Sequence, residues 1–370
     1  MTSPQLQAAL FRIVSMLLEL IAFGMIAAWI WAGSRLLRGR RLLEVEPFAP
    51  PRTAAWGPGT LLALFILYVG AQAAASTAYH SVVGVDLAEV SARYADELEA
   101  RNAAPADARP DHAKARRAAT DAMHLMSWNA TFNVLFLALF PWVFRRTSGA
   151  SLADLGVVPT RLGEQVQVGI VAGLLATPAV YAIHALALKA FPPRLHPVEQ
   201  MLEVDFSPVM AGVSVLSAVA LAPLFEETIF RGVIQGWLAR VSREIFDFEA
   251  RKPVVPHTDE LAEVTPPNGR ITAAELPGIV LTSALFAAVH YRQWPTPIPL
   301  FILAMVMGLL RWRTGSLLAP IIVHALFNAT STLAMLAAQL GGARDPVPAP
   351  VGTGLDGGAW LVALFDWLPG

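Results

Sequence analysis

Long apolar stretches, separated by shorter polar ones, divide this chain into segments that are long enough to cross a membrane. A helix needs about 20 predominantly apolar residues to span the hydrocarbon core of a bilayer. The pattern predicts eight membrane-spanning helices, at about residues 12–33, 56–76, 125–144, 166–189, 209–239, 278–291, 297–310 and 316–340. The predicted fold class is therefore all-α, a polytopic membrane helical bundle with about eight transmembrane helices.

Three of these spans have unusual lengths. The fifth, 209–239, is too long for a simple crossing, so we expect it to be tilted or broken near Pro223. The sixth and seventh are short, and the sequence Trp294-Pro295-Thr296-Pro297 joins them. We expect them to form a tight pair within the bundle, partly sheltered from lipid.

Composition agrees with a membrane protein and narrows its chemistry. Only 15% of the residues are charged, against about 25% in a soluble domain. Almost half of the charged residues lie in two stretches, 80–122 and 239–277, which leaves the rest of the chain nearly bare of charge. The net charge of −1 argues against a nucleic-acid partner. The chain has no cysteine, which excludes disulfides, thiolate metal sites and cysteine nucleophiles.

Basic residues near the span ends predict the orientation. If the N-terminus lies outside, the following arginines all fall on one side of the membrane: Arg35, Arg38, Arg40, Arg41, Arg145, Arg146, Arg240, Arg243, Arg311 and Arg313. Cytoplasmic loops are enriched in Lys and Arg, so that side is predicted to be the cytoplasm. We therefore expect a multi-pass protein of the cell (cytoplasmic) membrane.

The polar segments suggest three regions. Residues 1–149 would be an N-terminal membrane region with two to three helices and an external, partly helical loop at 77–122. Residues 150–340 would be a second membrane domain with an irregular cytoplasmic insertion at 240–277. The tail 341–370 is rich in Gly and Pro.

Smaller features of these segments are also predicted. The external loop is expected to be helical from 86 to 101. The tail ends in an apolar piece, Trp360 to Trp367, that we expect at the membrane interface.

The fifth span carries a cluster of charged residues, Glu226, Glu227 and Arg231. Ionisable side chains at membrane depth are costly, so each one suggests a function. Glu227 and Arg231 are four residues apart and can pair on one helix face. Glu226 then points about 100° away, free to face a cavity. The alternative is that the three residues only hold the helices together through a salt bridge and have no role in catalysis.

Three more polar residues fall at a similar depth. His290 follows Phe286 by four residues in the sixth span, and Asn328 follows His324 by four residues in the eighth. At about 1.5 Å per residue from the cytoplasmic ends, Glu226 lies about 21 Å deep, His290 and Asn328 about 18 Å, and His324 about 12 Å. Groups from three helices at roughly one level predict a buried catalytic chamber.

These groups suit hydrolysis of a peptide bond by activated water. A glutamate can act as general base, and His324 and Asn328 could donate hydrogen bonds to a developing oxyanion. A divalent metal, zinc in particular, is the competing arrangement, with Glu226, His290 and His324 as ligands and an open fourth position. The usual zinc-binding sequence H-E-x-x-H is absent. Metal-free activation is favoured, and both mechanisms stay open.

The ordered motifs Glu226-Glu227-x-x-x-Arg231, Phe286-x-x-x-His290 and His324-x-x-x-Asn328 resemble the CPBP (Abi) intramembrane protease family. This family includes the type II CAAX prenyl endopeptidases and lysostaphin-resistance-like proteins. The resemblance covers about residues 150–335, including the stretch 151–156 as a domain start.

This resemblance implies a helical intramembrane endopeptidase. Glu226 would activate water, supported by Glu227 and Arg231, while His290 positions the water and His324 and Asn328 stabilise the oxyanion. The implied partners are membrane lipid and a protein or peptide substrate, lipidated or otherwise anchored in the membrane. The insertions at 77–122 and 240–277 depart from the family pattern.

Two other classes of function fit parts of the pattern. A non-proteolytic scaffold or immunity-type protein could keep the same fold and act by binding. A transporter would also place carboxylates and histidines at mid-depth, but no inverted repeat and no matched pair of broken helices is found.

Overall fold

The computed structural model of the protein describes residues 4–42, 45–48, 54–103, 112–191, 208–246 and 275–341. Within these residues the chain forms helices α1 Pro4–Leu37, α2 Pro58–Val83, α3 Leu87–Ala103, α4 His112–Ser148, α5 Leu162–Ala190, α6 from Pro208 to Phe246, α7 Leu276–Val289, α8 Pro297–Thr314 and α9 Leu318–Leu340. A short 3₁₀ turn, Tyr291–Gln293, lies between α7 and α8.

The predicted fold class is confirmed: the described part of the chain is helical, and seven of its helices are long and apolar enough to cross a membrane. The predicted sixth span is different, since α7 has only 14 residues and is too short for a crossing. It packs against α6 and α8 inside the bundle, which confirms the expected pairing with α8.

The predicted external loop is mostly helical. Helix α3 matches the expected helix at 86–101, and α2 and α4 both continue into the segment beyond their predicted ends. The Arg93 guanidinium on α3 pairs with Asp121 on α4 at 3.0 Å, and this hydrogen bond raises the pKa of Arg93. The predicted irregular insertion after 246 and the predicted interfacial piece Trp360–Trp367 lie outside the described residues.

Helix α6 is not broken at Pro223. It consists of an α-helix Pro208–Val215, a π-helix Leu216–Leu221, an α-helix Ala222–Glu227, a second π-helix Thr228–Ile234 and an α-helix Gln235–Phe246. In the first π-helix the N–H of Ala222 donates to Ser217 O, five residues back. Residue 223 would donate to Ala218 O in the same register, but proline has no N–H. The π turn absorbs the proline, so the helix continues and one carbonyl is left free.

The C-terminal ends of α1, α4, α6 and α8 each carry arginine in their last turn. Contacts between the connecting segments show that they share one end of the bundle. The Phe48 N–H donates to Thr314 O at 2.8 Å, and Arg240 Nη1 donates to Ala54 O at 3.3 Å. The basic ends of α6 and α8 and the segment that follows α1 therefore lie on one side, as predicted.

Buried phenylalanines of α4 pack against α6 on the side of the N-terminal helices. Helix α4 buries phenylalanines at every fourth position along one face, namely Phe132, Phe136, Phe140 and Phe144. Phe225 of α6 packs edge-on against Phe136, with ring centroids 5.0 Å apart, and against Phe132 at 5.6 Å. The residue just before the two glutamates is thereby held in a fixed position.

Helices α5 and α9 approach closely through two glycines of α5. A Cβ atom built on Gly169 would lie 2.7 Å from Ile322 Cβ and 2.9 Å from Ala319 O. One on Gly173 would lie 2.9 Å from Leu326 Cδ2. Small residues four apart allow such backbone contact between membrane helices, and this contact sets the position of the helix that carries His324.

We predict that Gly169→Ala destabilises the protein by about 1–3 kcal/mol, because the added methyl group must push α9 away. The measurement is thermal unfolding in a fixed detergent. Gly163→Ala is the matched control, since its Cβ would meet nothing within 4 Å. Equal melting temperatures for the two variants would contradict the predicted close contact.

Candidate functional site

Helix α6 presents the two predicted glutamates in the short α-helical segment between its π-helices. Glu226 is 7% exposed, Glu227 is fully buried and Arg231 is 1% exposed. Arg231 Nη1 donates to Glu227 Oε1 at 3.0 Å, so the pair expected from their spacing is present. A buried carboxylate and a buried guanidinium each need such a partner, because stranding either one costs about 3–5 kcal/mol.

The same carboxylate oxygen also holds the histidine of α9. His324 Nδ1 lies 2.9 Å from Glu227 Oε1. An ionised carboxylate only accepts hydrogen bonds, so Nδ1 carries the proton and donates it. In the neutral imidazole, Nε2 is then an unprotonated acceptor that points away from Glu227.

Two further contacts fix Arg231. Its Nη2 donates to Ala304 O of α8 at 3.5 Å, and its Cζ lies 4.4 Å from the centroid of the Phe286 ring. A guanidinium over a desolvated aromatic face gains cation–π attraction. Helices α6, α7 and α8 thus meet at one arginine, which orients Glu227.

Glu226 faces the free side of His324. Its Oε2 lies 3.8 Å from His324 Nε2 and has no hydrogen-bond partner among the described residues. Glu227 Oε2 is also buried without a partner there. Buried polar atoms in native proteins are nearly always satisfied by protein or by ordered water. Glu226 Oε2 is therefore an acceptor next to His324 for which the described residues supply no donor.

His290 lies at the C-terminal end of α7, 5% exposed. Its Nδ1 donates to Phe286 O at 2.7 Å, which leaves Nε2 unprotonated in the neutral ring. The Phe286 ring contacts both histidines, with centroid distances of 4.9 Å to His290 and 5.8 Å to His324. Phe286 therefore joins the two imidazoles across the chamber.

Asn328 is held by the carbonyl that Pro223 leaves free. Its Nδ2 donates to Ala218 O at 2.8 Å, and its Oδ1 has no partner among the described residues. One of its two amide hydrogens is thereby used for a structural bond, which the spacing of the motif did not predict. The second amide hydrogen is left for other bonds.

The described side chains do not form the ligand set that the alternative, metal-dependent mechanism requires. Among the described residues, no three His, Asp or Glu side chains are arranged to hold a metal ion. The Nδ1 atoms of His324 and His290 bond to Glu227 and to Phe286 O, which leaves each Nε2 open, as it also is in metal-bound histidines. Because the described residues form no ligand set, we derive no catalytic step through a metal.

The structure brings the predicted residues together at one place, but two participants were not predicted. The carbonyls of Ala304 and Ala218 fix Arg231 and Asn328. Backbone oxygens carry no side-chain signal in a sequence. Only Pro223, which removes the normal donor to Ala218 O, could have indicated that a carbonyl is free.

A family model matches the part of the chain that carries these residues. Residues 208–330 match the family model described as type II CAAX prenyl endopeptidase Rce1-like. No curated protein and no solved structure matched the chain. The matched residues contain all three motifs and run from the start of α6 into α9. Residues 208–330 are therefore similar to the Rce1-like type II CAAX prenyl endopeptidases, which supports the resemblance to the CPBP intramembrane protease family that the motifs predicted.

Proposed function

We propose that this protein is an intramembrane endopeptidase that hydrolyses peptide bonds of membrane-associated proteins with a glutamate-activated water. The observation that carries the proposal is the pair of acceptor atoms, Glu226 Oε2 and His324 Nε2, 3.8 Å apart and both buried. A peptidase function is what the family match supports.

One water molecule can donate a hydrogen bond to each of these two atoms. Both protons of that water then point at acceptors, and its oxygen lone pairs are directed at the substrate. Glu226 acts as general base and takes one proton when the oxygen attacks the scissile carbonyl carbon. The same carboxyl group can afterwards give this proton to the leaving amine nitrogen.

The supporting residues keep this geometry and balance the charge. Arg231 and Glu227 hold the His324 ring with Nε2 towards the water, in the manner of a base and its orienting carboxylate. We infer that the second amide hydrogen of Asn328 stabilises the oxyanion, and that His324 becomes a second donor when the proton that Glu226 took from the water moves to Nε2. We propose that His290, held by Phe286 O at the end of α7, positions the water from the side of α7.

The family match and the position of the site among apolar, membrane-length helices support a substrate that is held at the membrane. We therefore propose protein substrates anchored by a lipid or a transmembrane segment, with CAAX-type prenylated proteins as the first class to test.

We predict that Glu226→Gln lowers the rate of cleavage by about 10²–10⁴-fold, because the amide cannot accept the proton. The assay uses the purified protein in liposomes with a farnesylated CAAX-type peptide and the same peptide without lipid. Glu19→Gln is the matched control, since Glu19 is exposed on α1.

Cleavage by Glu226→Gln at the wild-type rate would contradict Glu226 as the general base. Absence of cleavage by the wild type and by the variant would favour a scaffold function. Cleavage of both peptides would remove the lipid requirement and leave the peptidase intact.

We predict that activity is independent of a bound metal. Wild-type protein dialysed against a chelator should keep its cleavage rate within about twofold, and elemental analysis should show far less than one metal ion per chain. A stoichiometric zinc ion lost together with activity, and restored with it, would replace the metal-free mechanism by one with Glu226, His290 and His324 as ligands.

We also propose that the arginine-rich end of the bundle is cytoplasmic and the N-terminus external. Because the chain lacks cysteine, single cysteines can report on each end. In intact cells, a membrane-impermeant maleimide should label Ser81→Cys and reach Thr147→Cys only after permeabilisation. The opposite labelling pattern would reverse the orientation.

A further inference from the structure

Trp56 lies just before α2, far outside the matched residues 208–330, yet it contacts the helix that carries the glutamates. Its indole Nε1 donates to Val233 O at 2.9 Å, and the side chain is 2% exposed. Val233 belongs to the second π-helix of α6, Thr228–Ile234. A tryptophan buried at this depth normally uses its N–H to satisfy one specific acceptor.

The acceptor lies where the helix returns from π to α spacing. At the end of this π-helix the N–H of Gln235 still donates to Phe230 O, five residues back. Val233 O lies in this turn, and a carbonyl oxygen has two lone pairs, so it can accept from the indole as well as from the helix. The indole N–H therefore ties the end of the second π-helix to the segment before α2.

The indole ring also lies directly against a glycine of α6. A Cβ atom on Gly236 would lie 2.7 Å from Trp56 Cζ2, so the ring rests directly on the α6 backbone. On its other side the ring packs edge-on against Phe144 at 5.2 Å. Arg240 Nη1 donates to Ala54 O and Trp56 O at 3.3 and 3.4 Å, which ties the same segment to α6 again.

The π-helix that Trp56 contacts also contains Arg231. Arg231 holds Glu227, and Glu227 holds His324. The angle at which Arg231 leaves α6 depends on the π turn, since the extra residue rotates everything that follows it. The first π-helix is fixed in the same way, because Asn328 bonds to Ala218 O.

We propose that Trp56 is a positioning residue for the Rce1-like site: its indole N–H stabilises the second π-helix and thereby keeps Arg231, Glu227 and His324 aligned. The N-terminal region would then be part of the machinery that orients the water. This inference rests on the proposed peptidase function.

The test is Trp56→Phe, which keeps an aromatic ring against Phe144 and removes the hydrogen bond to Val233 O. The matched control is Trp128→Phe, because the indole N–H of Trp128 has no partner among the described residues. Three quantities are measured in liposomes: kcat and KM with the peptide that wild type cleaves, the pH profile of kcat, and hydrogen exchange of the amides in 228–238.

For Trp56→Phe we expect kcat to fall about tenfold with KM within about twofold, since the substrate is bound but the water is misaligned. The pH profile of kcat should shift, and exchange should increase within 228–238. Trp128→Phe should behave as wild type in all three measurements.

An unchanged kcat for Trp56→Phe would overturn the inference, and so would a lower kcat with unchanged exchange in 228–238 and an unchanged pH profile. If Trp56→Phe does not fold, Gly236→Ala displaces the intact indole ring and should give the same three changes. If the wild-type protein cleaves no peptide, the proposed function is contradicted. Increased hydrogen exchange of residues 228–238 in Trp56→Phe would still support the contact between Trp56 and the second π-helix.

Discussion

The carboxylate of Glu227 is the point on which the site depends. One oxygen accepts hydrogen bonds from Arg231 and from His324, and all three side chains are nearly inaccessible to solvent. Removing any one of them leaves a charge or a polar group stranded in a low-dielectric interior, at a cost of about 3–5 kcal/mol for an ion pair. The His324 ring is therefore held in one tautomer, with Nε2 directed towards Glu226.

The two π-helices of α6 let a single helix serve this arrangement. In each, a backbone carbonyl accepts a hydrogen bond from a side chain outside α6, Asn328 at Ala218 O and Trp56 at Val233 O. A regular α-helix would use nearly all its carbonyls internally. The irregular spacing of α6 thus gives neighbouring helices polar contacts at membrane depth, where polar groups otherwise lack partners.

The N-terminal helices act as the rigid support of this helix. The buried phenylalanines of α4 enclose Phe225, next to Glu226, and Trp56 lies against Gly236. These contacts are apolar or bond to backbone, so they hold α6 without adding ionisable groups to the chamber. Residues 208–330, which match the family model, are therefore packed against residues outside the match.

The sequence alone determined the elements, because 20-residue apolar spans and i, i+4 spacing are local properties of the chain. It predicted the all-α bundle, the short pair α7–α8, the helix at 86–101 and the Glu227–Arg231 pair. The tertiary structure decided the rest: that His324 bonds to Glu227, that Asn328 bonds to Ala218 O, and that α6 stays continuous past Pro223. These contacts join residues about 100 positions apart or more, or depend on backbone oxygens, and periodicity along one helix carries no information about either.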